Sequence, residues 1–516
     1  MTEPQTEPQE VQLGLADLQP RAVHSLQSRY RPVAVIDIGS NSVRLVIYEG
    51  PWRHASALHN EKAICAIGRN MVSTGHLDEA GMAFALETLA RFRELCDGHA
   101  VRDVGAVATA AARDAANGRD FIRRAEKVLG RPIRILSGEE EARTAAEGTL
   151  LGIPEADGLV ADLGGGSLDM VTVKDAKTGA AATLPFGPLR LMDVSGGNLN
   201  KARNTVEKGL ERLEFAKALK GRALYAVGGI WRALAHVDME QQNYPLRVLH
   251  HYAIPAGRAV KLCRVVSGLS RKTLEKMPAV PKRRAEALPY GALVLEEMIR
   301  GFALKEVVVS AYGLREGVLQ GKLKPEEAAK DPLIAFARDM NMRDSRTEAH
   351  AAEVFGWMTP LFPKETPAER RIREAACLFS DIGWRRHPDD RAMGAFAQVL
   401  RGAYGAADHH ERASMAAAVY YRYAGGDDFP EETGIAGLLG PEGAVLAQRI
   451  GLAARLAFGL SGAVEGELPA LTLYLTKDTL ALEIPAARKA LLGEAVHKRL
   501  ADLAEVFGRK PQAVVV

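Results

Sequence analysis

One short pattern occurs twice in this chain and constrains the fold more than any other feature. In GLVADLGGGSLDMVTV, residues 158–173, an apolar run ends at Asp162, and three glycines, Ser167 and an alternating run follow. In PVAVIDIGSNSVRLVIYEG, residues 32–50, the same order surrounds Asp37. With the aspartates aligned, Gly39 meets Gly164, Ser42 meets Ser167 and Val46 meets Val171. The apolar runs 33–36 and 159–161 suit buried strands. Alternation resumes after each turn, so each copy reads as a strand–turn–strand hairpin.

Glycine permits positive φ and lets a ligand approach the main chain closely. Successive N–H groups and serine hydroxyls in such a turn make a concave anion site. An aspartate at the strand end repels phosphate unless a cation sits between them. Mg²⁺ suits that place, because it uses one or two carboxylates together with phosphate oxygens. A dinucleotide-binding loop is disfavoured, since a strand rather than a helix follows the glycines. A Walker loop is disfavoured because Gly-Lys-Ser/Thr is missing from the turn. Two facing copies describe a phosphate clamp between two related lobes.

At 516 residues the chain has room for about two to four domains. Its net charge of +3 is too small to imply nucleic acid. Cys65, Cys96, Cys263 and Cys377 form no CxxC pair and read as reduced thiols. Residues 446–464 are apolar but interrupted by Arg449 and Arg455, so no membrane span is expected. A cytoplasmic protein is the expectation.

Residues 1–30 read as a polar, mobile tail with a short helix near 10–17. A helix is predicted over 78–97 with Asp78 as N-cap, then a strand over 101–108 and a helix–turn–helix over 109–130. Ser137 and Glu140 make a capping box for the next helix. Further strands and helices alternate to about residue 322, which argues for α/β layers. Within them, RALYAVGGIWRALAHV reads as strand, glycine turn and helix, and EALPYGALVLEEMIRGFAL as an amphipathic helix. From there to about 470 the pattern is helical, with a boundary near 320–335. A β hairpin is expected over 470–485. The expected division is lobe I at 31–155, lobe II at 156–325 and a helical domain at 326–516.

Six ordered motifs carry a resemblance: DIGSNSVRLVIYE (37–49), VATAAARDAANGRDFIRRAEKVLG (107–130), ILSGEEEARTAAEG (135–148), VADLGGGSLDMV (160–171), AVGGIWRALA (226–235) and SAYGLREGVL (310–319). Together they resemble the exopolyphosphatase/guanosine pentaphosphate phosphohydrolase (Ppx/GppA) family over residues 32–320. The resemblance implies a duplicated actin-like (ribonuclease H-like, ASKHA) α/β core and a mostly α-helical HD-like C-terminal domain. It implies that Glu141 is the catalytic general base, whereas Glu139 and Glu140 serve the helix dipole. It implies Asp162 and Asp37 as cation-linked aspartates, with Glu141 and Asp169 beside them. Asp169 stands where relatives commonly have Glu, one methylene longer. Asn41, Ser42, Gly164, Gly165, Gly166 and Ser167 resemble the phosphate-holding turns. Arg113 resembles an arginine that clamps phosphate through its planar fork.

The implied reaction is hydrolysis of the terminal phosphoanhydride of inorganic polyphosphate with Mg²⁺ or another divalent cation, in a homodimer. The alternatives are a pppGpp 5'-phosphohydrolase, a polyphosphate or ppGpp sensor without turnover, or a kinase or ATPase of the same fold. In the helical domain, Ser380-Asp381 stands where an HD enzyme needs His-Asp, so a second metal site is not expected. Arg370, Arg371, Arg385, Arg386, His387 and residues 282–284 are candidates for a basic track under a polyanion.

Overall fold

The computed structural model describes residues 30–426 and 429–516; the tail and short helix expected over the first residues lie outside the described residues. The duplication read from the hairpins extends to whole sheets. In the first sheet β1 (Val33–Ile38), β2 (Val43–Tyr48) and β3 (Ala57–Ala63) form an antiparallel meander. β4 (Asp103–Ala108) and β5 (Ile133–Ile135) add in parallel beyond β1, giving the order β3-β2-β1-β4-β5. The second sheet repeats this with β6 (Gly158–Leu163), β7 (Leu168–Lys174), β8 (Lys177–Leu184), β9 (Ala223–Val227) and β11 (Glu306–Val309). β10 (Ala253–Pro255) is an added antiparallel edge.

Register repeats as well. Asp37 lies opposite Arg44, and Asp162 lies opposite Asp169. The Gly39 N–H donates to the Ser42 carbonyl at 3.0 Å, and Gly164 to Ser167 at 3.0 Å. Each sheet buries an apolar face under helices. Ile36, Phe92 and Phe121 fill the first core, and Trp231, Tyr252 and Leu293 the second.

The helix predicted over 78–97 spans Glu79–Gly98, and the Asp78 carboxylate accepts from Gly81 N–H. The capping box at Ser137 and Glu140 is formed. The helix Leu288–Gly301 differs from its amphipathic reading: it is buried nearly all round, because Glu296 and Glu297 on it are enclosed and paired with Arg203 and Arg264.

The chain crosses between lobes twice. The helix Gly138–Gly152 carries it from β5 to β6. The helix Leu314–Gln320 carries it back after β11, and Leu319 packs on Val33, Val35, Val46 and Tyr48 of the first lobe. Both crossings touch backbone to backbone: a methyl on Gly148 would overlap the Gly313 carbonyl, and one on Gly317 the Thr144 carbonyl.

Beyond residue 325 the fold is helical and is closed by a small sheet. The expected hairpin is present as β12 (Thr472–Leu475) and β13 (Thr479–Ile484), and β14 (Lys510–Val515) adds a third, parallel strand. One helix, Ala436–Ser461, is long and apolar enough to cross a membrane by length and composition, contrary to expectation. It packs along His409–Ala424 in the core of the helical domain, and Gly440 and Pro441 kink it. The Ser380-Asp381 pair is structural. The Ser380 hydroxyl donates to the Cys377 carbonyl, and Asp381 takes a two-pronged contact from Arg346 at 3.0 and 2.7 Å. All four cysteines are free and buried.

Candidate active site in the interlobe cleft

Strand ends and the turns that follow them converge from both lobes. The β1–β2 turn and the β6–β7 turn face one another across a cleft of about 310 Å³. Gly228-Gly229 after β9 and Ser310–Gly313 after β11 complete its floor. Gly228 is required there: its φ is 115°, and a side chain would strike the Leu163 carbonyl. The turn glycines differ from expectation. Gly39, Gly164, Gly165 and Gly166 do not adopt positive φ. Their bareness serves ligand approach instead. Among the described residues, the N–H groups of Ser40, Asn41, Gly165 and Gly166 make no hydrogen bond, so they are donors free for an anion.

The cleft brings together Asp37, Asn41, Ser42, Glu141, Asp162, Gly164, Gly165, Gly166, Ser167 and Asp169. Arg113 does not line it. It borders an adjoining cavity, and its Nη1 donates to Glu141 Oε2 at 3.1 Å and to the Leu136 carbonyl at 3.1 Å, while Asp114 takes its Nε at 3.0 Å. Asp37 lines the cleft, and Arg315 lies 3.5 Å from its Oδ2.

The cleft holds carboxyl groups and cations together, and Arg232 and Arg315 act directly on Asp162. Burial raises the Glu141 carboxyl to about 9, and Asp169 and Asp162 push the same way against Arg113. Burial, then Asp169 and Asp37, raise Asp162 to about 7. Asp169 is also raised by burial, although Ser167, which donates to its Oδ2 at 2.7 Å, and the nearby Thr183 oppose the shift. Its buried Oδ1 lacks a well-formed hydrogen bond. Asp169 raises both Asp162 and Glu141, and such neighbouring buried carboxyl groups with one bare oxygen suit a divalent cation. Among the described residues no group of three or more donors is already gathered as a cage. Mg²⁺ commonly takes its remaining ligands from water and phosphate oxygens, so the donor set fits.

The same cleft is lined by Lys62, Arg232, Arg283, Arg284 and Arg315. Burial, then Arg284, Arg44 and Arg232, pushes Lys62 down to about 8. Arg44 falls to about 10 through burial and the charges of Arg315 and Arg232. Arg232 is lowered by burial and by Arg315 and Arg284. Among the described residues, the side chains of Lys62, Arg232, Arg283 and Arg284 have no hydrogen-bonding or ion-pair partner. Cations crowded together without partners are a binding surface for an anion.

Sequence reading missed Lys62, Arg232 and Arg315 as binding residues, although the last two sit inside quoted motifs. Of the basic-track candidates, Arg283 and Arg284 line the cleft among the described residues, and Lys282 does not. Arg371 is taken by Asp331 and Glu411, Arg370 by Glu365 and the Phe355 ring, and Arg386 by Gln398 and Asp390. Arg385 lies over Trp384, and His387 faces Asp389 at 3.6 Å.

The sequence profile of the Ppx/GppA phosphatase family matches residues 45–326. The chain belongs to the Ppx/GppA phosphatase family. The profile described as exopolyphosphatase, C-terminal, matches residues 333–514. Similar proteins include Exopolyphosphatase 2 of Mycobacterium tuberculosis, 27% identical over 309 residues, spanning 55% of this chain and 97% of that protein. The crystal structure of the Aquifex aeolicus Ppx/GppA family member is 27% identical and covers 56% of this chain and 97% of its own, with a TM-score of 0.49. An exopolyphosphatase structure from Cytophaga hutchinsonii covers 57% and 99%, at 22% identity and a TM-score of 0.50. The Ppx/GppA chain thus has the two-lobed actin-like core with a helical C-terminal domain.

Proposed function

We propose that this Ppx/GppA chain is an exopolyphosphatase, which cleaves the terminal phosphoanhydride of inorganic polyphosphate and releases orthophosphate. The observation that carries the reading is the run of unpartnered cations, Lys62, Arg232, Arg283 and Arg284, leading to two turns with free N–H groups. A long polyanion needs charge beyond the reacting phosphate, and this cleft supplies it. The relatives named exopolyphosphatase and the matched C-terminal profile support the same substrate.

The terminal phosphoryl group sits between the β1–β2 and β6–β7 turns, held by the N–H groups and by the Ser42 hydroxyl, while the Ser167 hydroxyl stays on Asp169. Glu141 takes the proton of a water aligned with the bond to be broken, and Arg113 fixes the direction of that carboxyl group. A general base supplies roughly 10²–10⁴-fold in rate, and positioning and electrostatics the remainder, as is usual for phosphoryl transfer. Asp162 and Asp169 are the residues that would hold a divalent cation, beside Glu141. When bound, the cation neutralises charge on the phosphate oxygens.

The test is orthophosphate release measured side by side on polyphosphate, pppGpp and ATP. Fastest release from polyphosphate is expected. Preference for pppGpp would replace this reading with the nucleotide one, and ADP formation from ATP alone would make the chain an ATPase.

A further inference from the structure

We propose that the small cavity between Arg113 and Arg190 receives the orthophosphate product and is its way out of the cleft. The inference rests on the polyphosphate reading above. The cavity holds about 160 Å³, room for one orthophosphate. It shares Ser40, Ala110, Gly165, Gly166, Ser167 and Leu189 with the main cleft. None of the free cations of the cleft lines it. Both spaces therefore open onto the same two turns, one towards Lys62 and Arg232, the other towards Arg113 and Arg190.

The helix Pro188–Ser195 places Arg190. Gly187 is jammed against the backbone of Gly165 and Gly166, and the Leu189 N–H donates to the Gly165 carbonyl at 3.1 Å. The segment is thus riveted to the β6–β7 turn. Arg190 follows, half-buried, and among the described residues its side chain has no partner. Leu189, an apolar side chain 43% exposed, stands where the two spaces meet. Asp114 and Asp193 also line the cavity, so phosphate there is held without being trapped.

Chemistry gives the second opening a purpose. A water oxygen bonds to the terminal phosphorus as the bond to the bridging oxygen breaks. The shortened polyphosphate leaves with that electron pair, and the water proton passes to Glu141. Orthophosphate then lies on the turns while the remaining chain is still held by Lys62, Arg232, Arg283 and Arg284. Departure past the chain would require the chain to let go. Departure through the Arg113–Arg190 cavity lets the chain stay and advance. Arg190 suits a phosphate in transit because its uncommitted planar fork can grip two oxygens at once, whereas Arg113 already gives its Nε and Nη1 to Asp114, Glu141 and Leu136.

The experiment measures inhibition by inorganic phosphate during hydrolysis of long-chain polyphosphate, in wild type, Arg190→Glu and Arg232→Ala. Arg190→Glu is expected to raise the phosphate inhibition constant about tenfold while KM for polyphosphate moves by less than about twofold. Arg232→Ala is expected to show the reverse. Unchanged phosphate inhibition in Arg190→Glu, or a KM that rises in step with it, overturns the proposal. If wild type releases no orthophosphate from polyphosphate, the functional reading fails by itself. Calorimetry with inorganic phosphate on wild type and Arg190→Glu then decides the cavity. Weaker binding to the variant supports it, whereas equal binding, or none to either, overturns it.

Discussion

The Arg113 guanidinium donates to Glu141 at 3.1 Å, which gives a carboxyl group raised by burial its cationic partner. Arg113 follows β4 and Glu141 sits in the first turn of the helix Gly138–Gly152, so two separate elements set one carboxylate. Replacing Glu141 by Gln keeps the shape and removes the base. Turnover should fall roughly 10²–10⁴-fold while polyphosphate binding persists. Phosphate release and equilibrium binding, measured on the same preparation, check this; near-normal release would remove Glu141 from its role.

The free cations make a separate prediction. Arg232→Ala and Arg284→Ala should each raise KM for polyphosphate about tenfold, with a smaller effect on kcat. The salt dependence of KM should also flatten, because fewer charges are neutralised on binding. Kinetics across a range of ionic strength read both effects. An unchanged KM would mean that the chain follows another path.

Acid should loosen the join between lobe II and the helical domain. His250 and His251 both reach the Gly152 carbonyl, at 3.0 and 3.2 Å, and His409 contacts the His250 carbonyl at 3.0 Å and the Tyr244 hydroxyl at 2.8 Å. Burial holds His251 and His409 down at about 4 and His250 well below its usual value of 6.5. The unfolded chain, with histidines near 6.5, binds more protons than the folded one below that pH. The stability these neutral rings contribute is therefore full above about 6.5 and drains away as pH falls towards about 4. Calorimetric Tm should drop over that interval, and His409→Gln should make the drop shallower.

The crossing helices allow no extra atom. Gly148→Ala and Gly317→Ala each place a methyl against backbone rather than against a movable side chain. Each should cost about 1–3 kcal/mol, read by urea denaturation, and the double variant should cost less than the sum because one separation of the helices accommodates both. A neutral result at either position would show that the lobes slide apart freely.

The hairpins were legible because their chemistry is local: an apolar run, an aspartate, small residues and renewed alternation lie within a few positions of one another. The caps at Asp78 and Ser137 were legible for the same reason. β3 was not. It is an edge strand whose LHNEK core carries charge on a largely exposed ribbon, so it lacks the apolar alternation of β1 and β2. Lys62 was lost with it. Arg232 and Arg315 were read as helix residues, because only the packing of both lobes turns them towards one cleft. Arg370 and Arg371 failed in the opposite sense: a basic pair in sequence is consumed by acidic partners far along the chain.

Asp37 and Asp162 occupy equivalent places, but across the strand one faces Arg44 and the other Asp169. Two like halves brought face to face would make a near-palindromic cleft, indifferent to which way round a repetitive polymer entered. The uneven charge of the two halves removes the indifference. A polyphosphate strand has no side groups by which to be oriented, only an end and a remainder. The cleft tells them apart with cations drawn unequally from its halves, Lys62 from the first and Arg232, Arg283, Arg284 and Arg315 from the second.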